Sequence, residues 1–225
     1  MLASVAAAAS FAAYAVRGKS SSLIAPSVWQ GDRSKRAVAL TFDDGPSEST
    51  PALLELLARF DMRATFFMCG ANVRRLPIIA RQVAEAGHEI GNHTDTHPAL
   101  YFKSPGFIEQ EIVRAQESIA QATGVAPRLF RAPYGVRWPG LRAAQQRHAL
   151  TGVMWTAIGR DWKLTAPQVA DIVLKGARNG AIVCLHDGRA LTPTPDIRAT
   201  LDAVRIIVPA LRDQGFTFET VSRIL

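Results

Sequence analysis

Short apolar runs recur along this chain from residue 37 to residue 221, separated by stretches whose apolar positions repeat at the spacing of one helix face. The runs at 37–42, 64–69, 88–92, 128–131, 150–156, 181–186 and 216–221 read as strands. Ile108, Ile112, Ala115 and Ile119, and again Leu201, Val204, Val208 and Leu211, mark amphipathic helices between them. Gly87, Gly124, Gly180 and Gly215 each follow a helical stretch and precede a strand, as expected of residues that end helices. Strand and helix therefore alternate, which predicts a parallel sheet covered by helices. No GxGxxG follows the first strand. The expected fold is accordingly α/β, an irregular parallel (β/α)7-type barrel in a single domain at 36–225, rather than an open nucleotide-binding sheet.

Ahead of the first strand the pattern changes. Residues 1–16 are apolar and alanine-rich, a length that suits a signal-peptide core or membrane-anchor-like segment better than a full span. Ala13-Tyr14-Ala15 offers a small-x-small cleavage pattern. No Lys or Arg precedes the run, whereas Arg17 and Lys19 follow it, an asymmetry that favours keeping the rest in the cytoplasm. Export or membrane anchoring at the cell envelope is the expectation, with a cytoplasmic location as the alternative. Residues 17–35 turn polar and read as a linker or an irregular strap over the domain.

Composition narrows the function classes. With 225 residues, 48% hydrophobic and 20% charged, the chain carries enough apolar material for one compact domain. Its net charge of +7 is unevenly spread: Arg17, Lys19, Arg33, Lys35 and Arg36 precede Ala37 against Asp32 alone. That distribution argues against a nucleic-acid footprint and suits a basic entry segment near an anionic envelope surface. Cys69 and Cys184 each sit inside an apolar run and read as buried free thiols.

The candidate chemistry gathers at the ends of the predicted strands. Asp43 and Asp44 close the first strand, and Gly45-Pro46 supplies the bend two adjacent aspartates need to face one site. His93 and His97 follow the third strand at a spacing that one helical turn would bring to one side. With a carboxylate from the first strand they form a two-histidine, one-carboxylate metal set with open positions. The spacing leaves open which aspartate joins it. Arg131 ends the fourth strand, in RAPYG, where Pro133 fixes the backbone and the Tyr134 N–H could face a developing oxyanion. Asp161-Trp162 follows the fifth strand and His186 ends the sixth. In a parallel barrel all these ends share one face, where an active site is expected.

TFDDGP, HTDTH, RAPYG, DW and LHD, in this order, resemble the polysaccharide deacetylases with a NodB-homology domain, carbohydrate esterase family 4, over about residues 36–225. The resemblance implies removal of N-acetyl groups from N-acetylglucosamine-containing glycans, peptidoglycan or chitin-type oligosaccharides, by a monomer using one divalent ion, zinc first, with cobalt or manganese as alternatives. It implies Asp43 as general base, Asp44, His93 and His97 as metal ligands, and Arg131 as the group orienting the base. It further implies Tyr134 as a backbone oxyanion donor, His186 as general acid kept protonated by Asp161, and Trp162 as a wall of the acetyl pocket. Two positions depart from the family pattern. Cys184 stands where leucine is usual, which changes the volume of the pocket wall, and Ile158 stands where many relatives carry an extra aspartate. Trp138 is a candidate for stacking on a sugar ring. An O-acetyl xylan esterase, or a glycan-binding protein without catalysis, are the competing readings.

Overall fold

The computed structural model describes residues 2–225. Nine strands form one sheet: β1 Ser27–Val28, β2 Ala37–Asp43, β3 Thr65–Met68, β4 Glu89–Asn92, β5 Leu129–Phe130, β6 Thr151–Val153, β7 Ala157–Ile158, β8 Ala181–His186 and β9 Thr217–Phe218. The helices are α1 Leu2–Arg17, α2 Thr50–Arg59, α3 Gly70–Arg75, α4 Pro77–Glu85, α5 Pro105–Thr123, α6 Leu141–Arg147, α7 Ala166–Gly176, α8 Arg198–Asp213 and α9 Val221–Ile224. The strand order is β1-β6-β5-β4-β3-β2-β8-β7, with β9 beside the start of β2, and every named pair is parallel. The sheet curls until its edges approach: Gln30 bridges to Ala181, and Gly31 N–H donates to Gly180 O at 2.8 Å. The result is the predicted irregular (β/α)7-type barrel, in a single domain.

All seven predicted strands are present, and two more join them. β1 and β7 have two residues each, too few to display alternation in a sequence. β1 also lies in the stretch read as a linker or strap, so the sheet begins before residue 36. Gly180 has the left-handed φ of 70°, but α7 has already ended at Gly176; the glycine turns the chain into β8 rather than capping the helix.

The alternation along β2 explains the architecture. Val38, Leu40 and Phe42 point outward into a cluster with residues of α2, α4, α7 and α8, each full burial contributing roughly 1.5–3 kcal/mol. Ala37 and Ala39 point inward, where the small side chains leave room for Phe67, Leu129, Ile182 and the α9 residues Val221 and Ile224. Continuing the inward series by twos reaches Thr41 and then Asp43. On β8, Ile182 points inward with Cys184 and His186 next in that series, and Asp43 is the register partner of His186.

The long helix α5 is built as its pattern predicts. Ser104 Oγ accepts from Phe107 N–H at 3.2 Å, Pro105 starts the helix, and Gly124 ends it at φ 72° with its N–H on Ala120 O. Its face of Ile108, Ile112, Ala115 and Ile119 is buried. Part of a second core cluster under α5 and α6 is Val16, the penultimate residue of α1. No helix among the described residues is long and apolar enough to cross a membrane.

Candidate active site

At the C-terminal ends of β2, β4 and β8 a cavity of about 410 Å³ opens. Asp43, Asp44, His93, His97, Tyr134, Trp162, Cys184 and His186 line it, so most of the residues singled out in the sequence converge. Arg131 and Asp161 stand behind this layer. Trp138 does not reach it: its ring packs edge-on to Tyr101 and Phe102, with centroids 5.8 and 4.9 Å away.

Two adjacent aspartates share the cavity because the backbone reverses its alternation at the second. Asp44 has φ 73°, so the bend begins one residue before the Gly45-Pro46 pair credited with it. Gly45 is required there, since a Cβ would meet Asp187 Oδ2 at 2.2 Å. Asp44 Oδ2 accepts from Ala190 N–H at 2.8 Å, leaving Oδ1 to face the histidines. Burial pushes the Asp44 carboxyl up, but His93 and His97 outweigh it and hold the group well below the usual carboxylate range.

His93 and His97 do not lie on a helical turn. They sit in a loop with left-handed residues at Thr94 (φ 68°) and His97 (φ 57°), and their rings come within 5.0 Å. A buried acid shapes that loop. Glu111 Oε2 accepts from Asp95 N–H at 3.1 Å and Thr96 N–H at 2.7 Å, and Oε1 takes the Thr96 hydroxyl at 2.9 Å. Arg74 clamps the Asp95 carboxylate with two hydrogen bonds of 2.6 and 3.1 Å.

The donor set fits a divalent cation. One atom each from Asp44, His93 and His97 lie mutually within 4.8 Å. His93 Nδ1 donates to Arg131 O at 2.7 Å, which directs the Nε2 lone pair toward Asp44 Oδ1, 3.3 Å away. His97 Nε2 is 3.0 Å from the same oxygen, which is buried and has no hydrogen-bond partner. Acceptors brought this close are satisfied by a positive charge between them, and two imidazoles with one carboxylate leave positions open for water and substrate.

Behind the cavity, Arg131 is fully buried and donates from Nη1 to Asp43 Oδ1 and to Thr41 Oγ1, both at 2.6 Å. Nη2 reaches Met154 O at 3.2 Å, and the guanidinium stacks on the Phe67 ring at 4.1 Å. The other oxygen of Asp43 accepts from Cys184 Sγ at 3.4 Å. Across the cavity, Asp161 Oδ1 accepts from His186 Nδ1 at 2.8 Å, and Oδ2 holds His186 N–H at 2.8 Å and Thr200 Oγ1 at 2.6 Å. Burial disfavours the imidazolium, but the Asp161 carboxylate outweighs it and raises the pKa of His186. The Trp162 ring stands edge-on to His186 at 4.9 Å, and Tyr134, at φ 57°, sets its ring edge against His97 at 4.8 Å.

Residues 30–153 match the family model for polysaccharide deacetylase. The chain belongs to the polysaccharide deacetylase family, carbohydrate esterase family 4. It is 37% identical, over 190 residues, to the chitooligosaccharide deacetylase of Bradyrhizobium sp. (strain ANU 289), covering 80% of this chain and 87% of the relative. A solved peptidoglycan N-acetylglucosamine deacetylase superimposes with a TM-score of 0.82 at 32% identity, covering 88% of this chain and 91% of that one. A family 4 acetyl xylan esterase from Clostridium thermocellum, solved with a cobalt ion, gives a TM-score of 0.76 at 33% identity, covering 84% and 89%.

Several residues of this family member that shape the cavity escaped the sequence reading. Glu111 carried a legible signal, a charge on the apolar face marked by Ile108, Ile112 and Ala115. Asp187, legible as the end of LHD but given no role there, donates its N–H to Asp43 O at 3.2 Å and accepts from Thr50 Oγ1 at 2.6 Å, and burial pushes its pKa up to about 7. Thr200, Trp155, Arg17 and Arg189 carried none, because their approach depends on how the barrel closes.

Proposed function

We propose that this protein is a metal-dependent hydrolase that removes N-acetyl groups from N-acetylglucosamine-containing glycans, peptidoglycan or chitin-type oligosaccharides, releasing acetate. One observation carries the reading: a candidate Asp-His-His metal set shares a cavity with a carboxylate held by a buried arginine and an imidazole held by a buried aspartate.

Asp44, His93 and His97 would hold the ion, zinc first, with cobalt or manganese as alternatives. Bound there, it supplies Lewis-acid polarisation of the acetamide carbonyl and of the attacking water. Asp43 takes the proton of that water while Arg131 fixes the carboxylate from behind. The Tyr134 N–H donates to the oxygen that becomes negative, a contact of about 3–4 kcal/mol in comparable sites. His186 then delivers its Nε2 proton to the sugar nitrogen as the carbon–nitrogen bond breaks, leaving acetate and a free amine. The raised pKa of His186 suits that step, since an amine cannot leave without a proton. The same water attack would open an acetyl ester, whose leaving alkoxide makes a lesser demand on the acid.

Trp162 and Cys184 wall the acetyl group. Trp138, packed among Tyr101 and Phe102, would meet only a sugar ring outside the cavity. A peptidoglycan substrate would put the enzyme at the cell envelope, and the burial of Val16 in the core favours residues 1–16 as an anchor-like segment over a cleaved leader.

The test is acetate release from N-acetylchitooligosaccharides, with O-acetylated xylan alongside, before and after chelation. Release from the amide substrate that chelation abolishes and added zinc, cobalt or manganese restores is expected. Release insensitive to chelation would refute the metal dependence, and release from xylan alone would replace the amide reading with the ester one. Removing one ligand should cost more than removing a partner of a ligand, so His97→Ala is expected to weaken zinc binding more than about 100-fold. Metal analysis after dialysis checks this, and a full zinc content would remove His97 from the ligand set.

A further inference from the structure

We propose that Arg17 and Arg189 form an anion-recognising rim on the catalytic cavity, so that the preferred glycan carries a carboxylate beside the N-acetylated sugar. The inference rests on the deacetylase reading and specifies its substrate class. Both arginines line the same cavity as Asp43, the metal set and His186. Among the described residues, no ion pair engages either of them.

The Arg189 guanidinium is held by neutral carbonyl groups, and the two carboxylates that feel its charge, Asp161 and Asp196, are already engaged by His186 and by Arg198. Arg189 is half-buried, and its Nη1 and Nη2 donate to the carbonyls of Gly188 and Asp161 at 2.8 and 3.2 Å. A guanidinium has five N–H donors, so the remaining ones stay available to a ligand.

Arg17 is exposed at the end of α1, and that end is anchored. Val16, just before it, is buried in the core. The buried Arg137 donates to the Val16 carbonyl from its backbone N–H at 3.0 Å, and from its guanidinium to Ser21 O at 2.6 Å and to Gly18 O. Lys19 Nζ reaches Thr156 O at 3.1 Å. The segment 16–21 is thus pinned both to the loop after β5 and to the connection between β6 and β7, across the open side of the barrel, and it carries Arg17 to the cavity mouth.

The acids around the cavity each have a closer partner than the rim, and Asp161, the one nearest Arg189, holds His186 Nδ1 at 2.8 Å. Asp43 is paired with Arg131, and Asp44 faces His93 and His97. An approaching neutral chitin chain offers the two arginines only hydroxyl and amide groups. A glycan that alternates N-acetylglucosamine with a 3-O-lactyl amino sugar presents a carboxylate, which a guanidinium binds through paired hydrogen bonds.

The experiment compares kcat/KM for acetate release from two tetrasaccharides of equal length, one of N-acetylglucosamine alone and one alternating it with peptide-free N-acetylmuramic acid. The wild type is expected to prefer the acidic one. In Arg17→Gln the acidic-to-neutral ratio should fall about tenfold, mainly through KM, with Arg189→Gln moving it the same way and Arg17→Lys keeping part of it. Thermal melting checks that each variant is folded; Arg17 is exposed, so its removal leaves the core intact. An unchanged ratio in both glutamine variants, or a wild type without preference for the acidic glycan, would overturn the rim. A wild type that releases acetate from neither glycan with metal present would instead overturn the deacetylase reading itself.

Discussion

Asp43→Asn is expected to lower acetate release by about 10³-fold, within the range that a positioned general base contributes, while zinc stays bound. The substitution is nearly isosteric. The amide keeps an oxygen for Arg131, whose Nη1 sits 2.6 Å from Asp43 Oδ1 in the wild type, so the barrel interior should hold its shape. What it loses is the ability to accept a proton from water. Asp44, His93 and His97 are untouched, and their share of the cavity should bind metal as before. Parallel measurements of kcat and of metal content separate the two roles. Turnover at the wild-type rate would take the base assignment away from Asp43, and loss of metal would mean that it serves as a ligand.

Arg131→Leu should have the largest effect on stability. The guanidinium is fully buried between Thr41, Asp43, the Met154 carbonyl and the face of Phe67. Leucine leaves the buried Asp43 carboxylate without its partner, and breaking a buried pair from one side costs about 3–5 kcal/mol. That is a large part of the roughly 5–15 kcal/mol that typically holds a domain together. Chemical denaturation of the metal-free protein measures it. The double variant Arg131→Leu with Asp43→Leu should recover a portion of the loss, because no unpaired charge remains. Recovery stays partial, since Thr41 Oγ1 and the Met154 carbonyl still lose their donor. A single variant as stable as the wild type would show that solvent reaches Asp43 from below.

These two residues also mark the boundary between what is legible in the chain and what is not. The alternation at 37–43 determines that Ala37, Ala39, Thr41 and Asp43 share one face, and the alternation of strands with helices determines that strand ends share one rim. The order of the motifs determines which side chains arrive there. Local periodicity reports only which way a side chain points from its own element. The Arg131 to Asp43 contact joins residues 88 apart, and its distance exists only once β5 and β2 are wrapped into the same curled sheet.

Backbone reversals lie beyond pattern for a second reason. Asp44, Thr94 and His97 all adopt left-handed φ values, which carry a steric cost for residues with a Cβ and leave no periodic trace. Tertiary partners hold the Asp44 turn and the histidine loop, Ala190 N–H on Asp44 and Glu111 on the two residues after Thr94, and one local bond joins them, from Thr94 N–H to Asn92 Oδ1 at 2.8 Å. The spacing of His93 and His97 suggested one helical turn, and the loop brought the rings together by another path. The segment 17–35 reads as polar linker because none of its residues alternates, yet closure of the barrel gives Ser27–Val28 a partner in β6 and carries Arg17 to the cavity. The sequence by itself determined the chemical inventory and the face on which it lies. Only the tertiary structure decided the turns, the long-range pairings and the basic rim, because these depend on contacts between elements far apart in the chain.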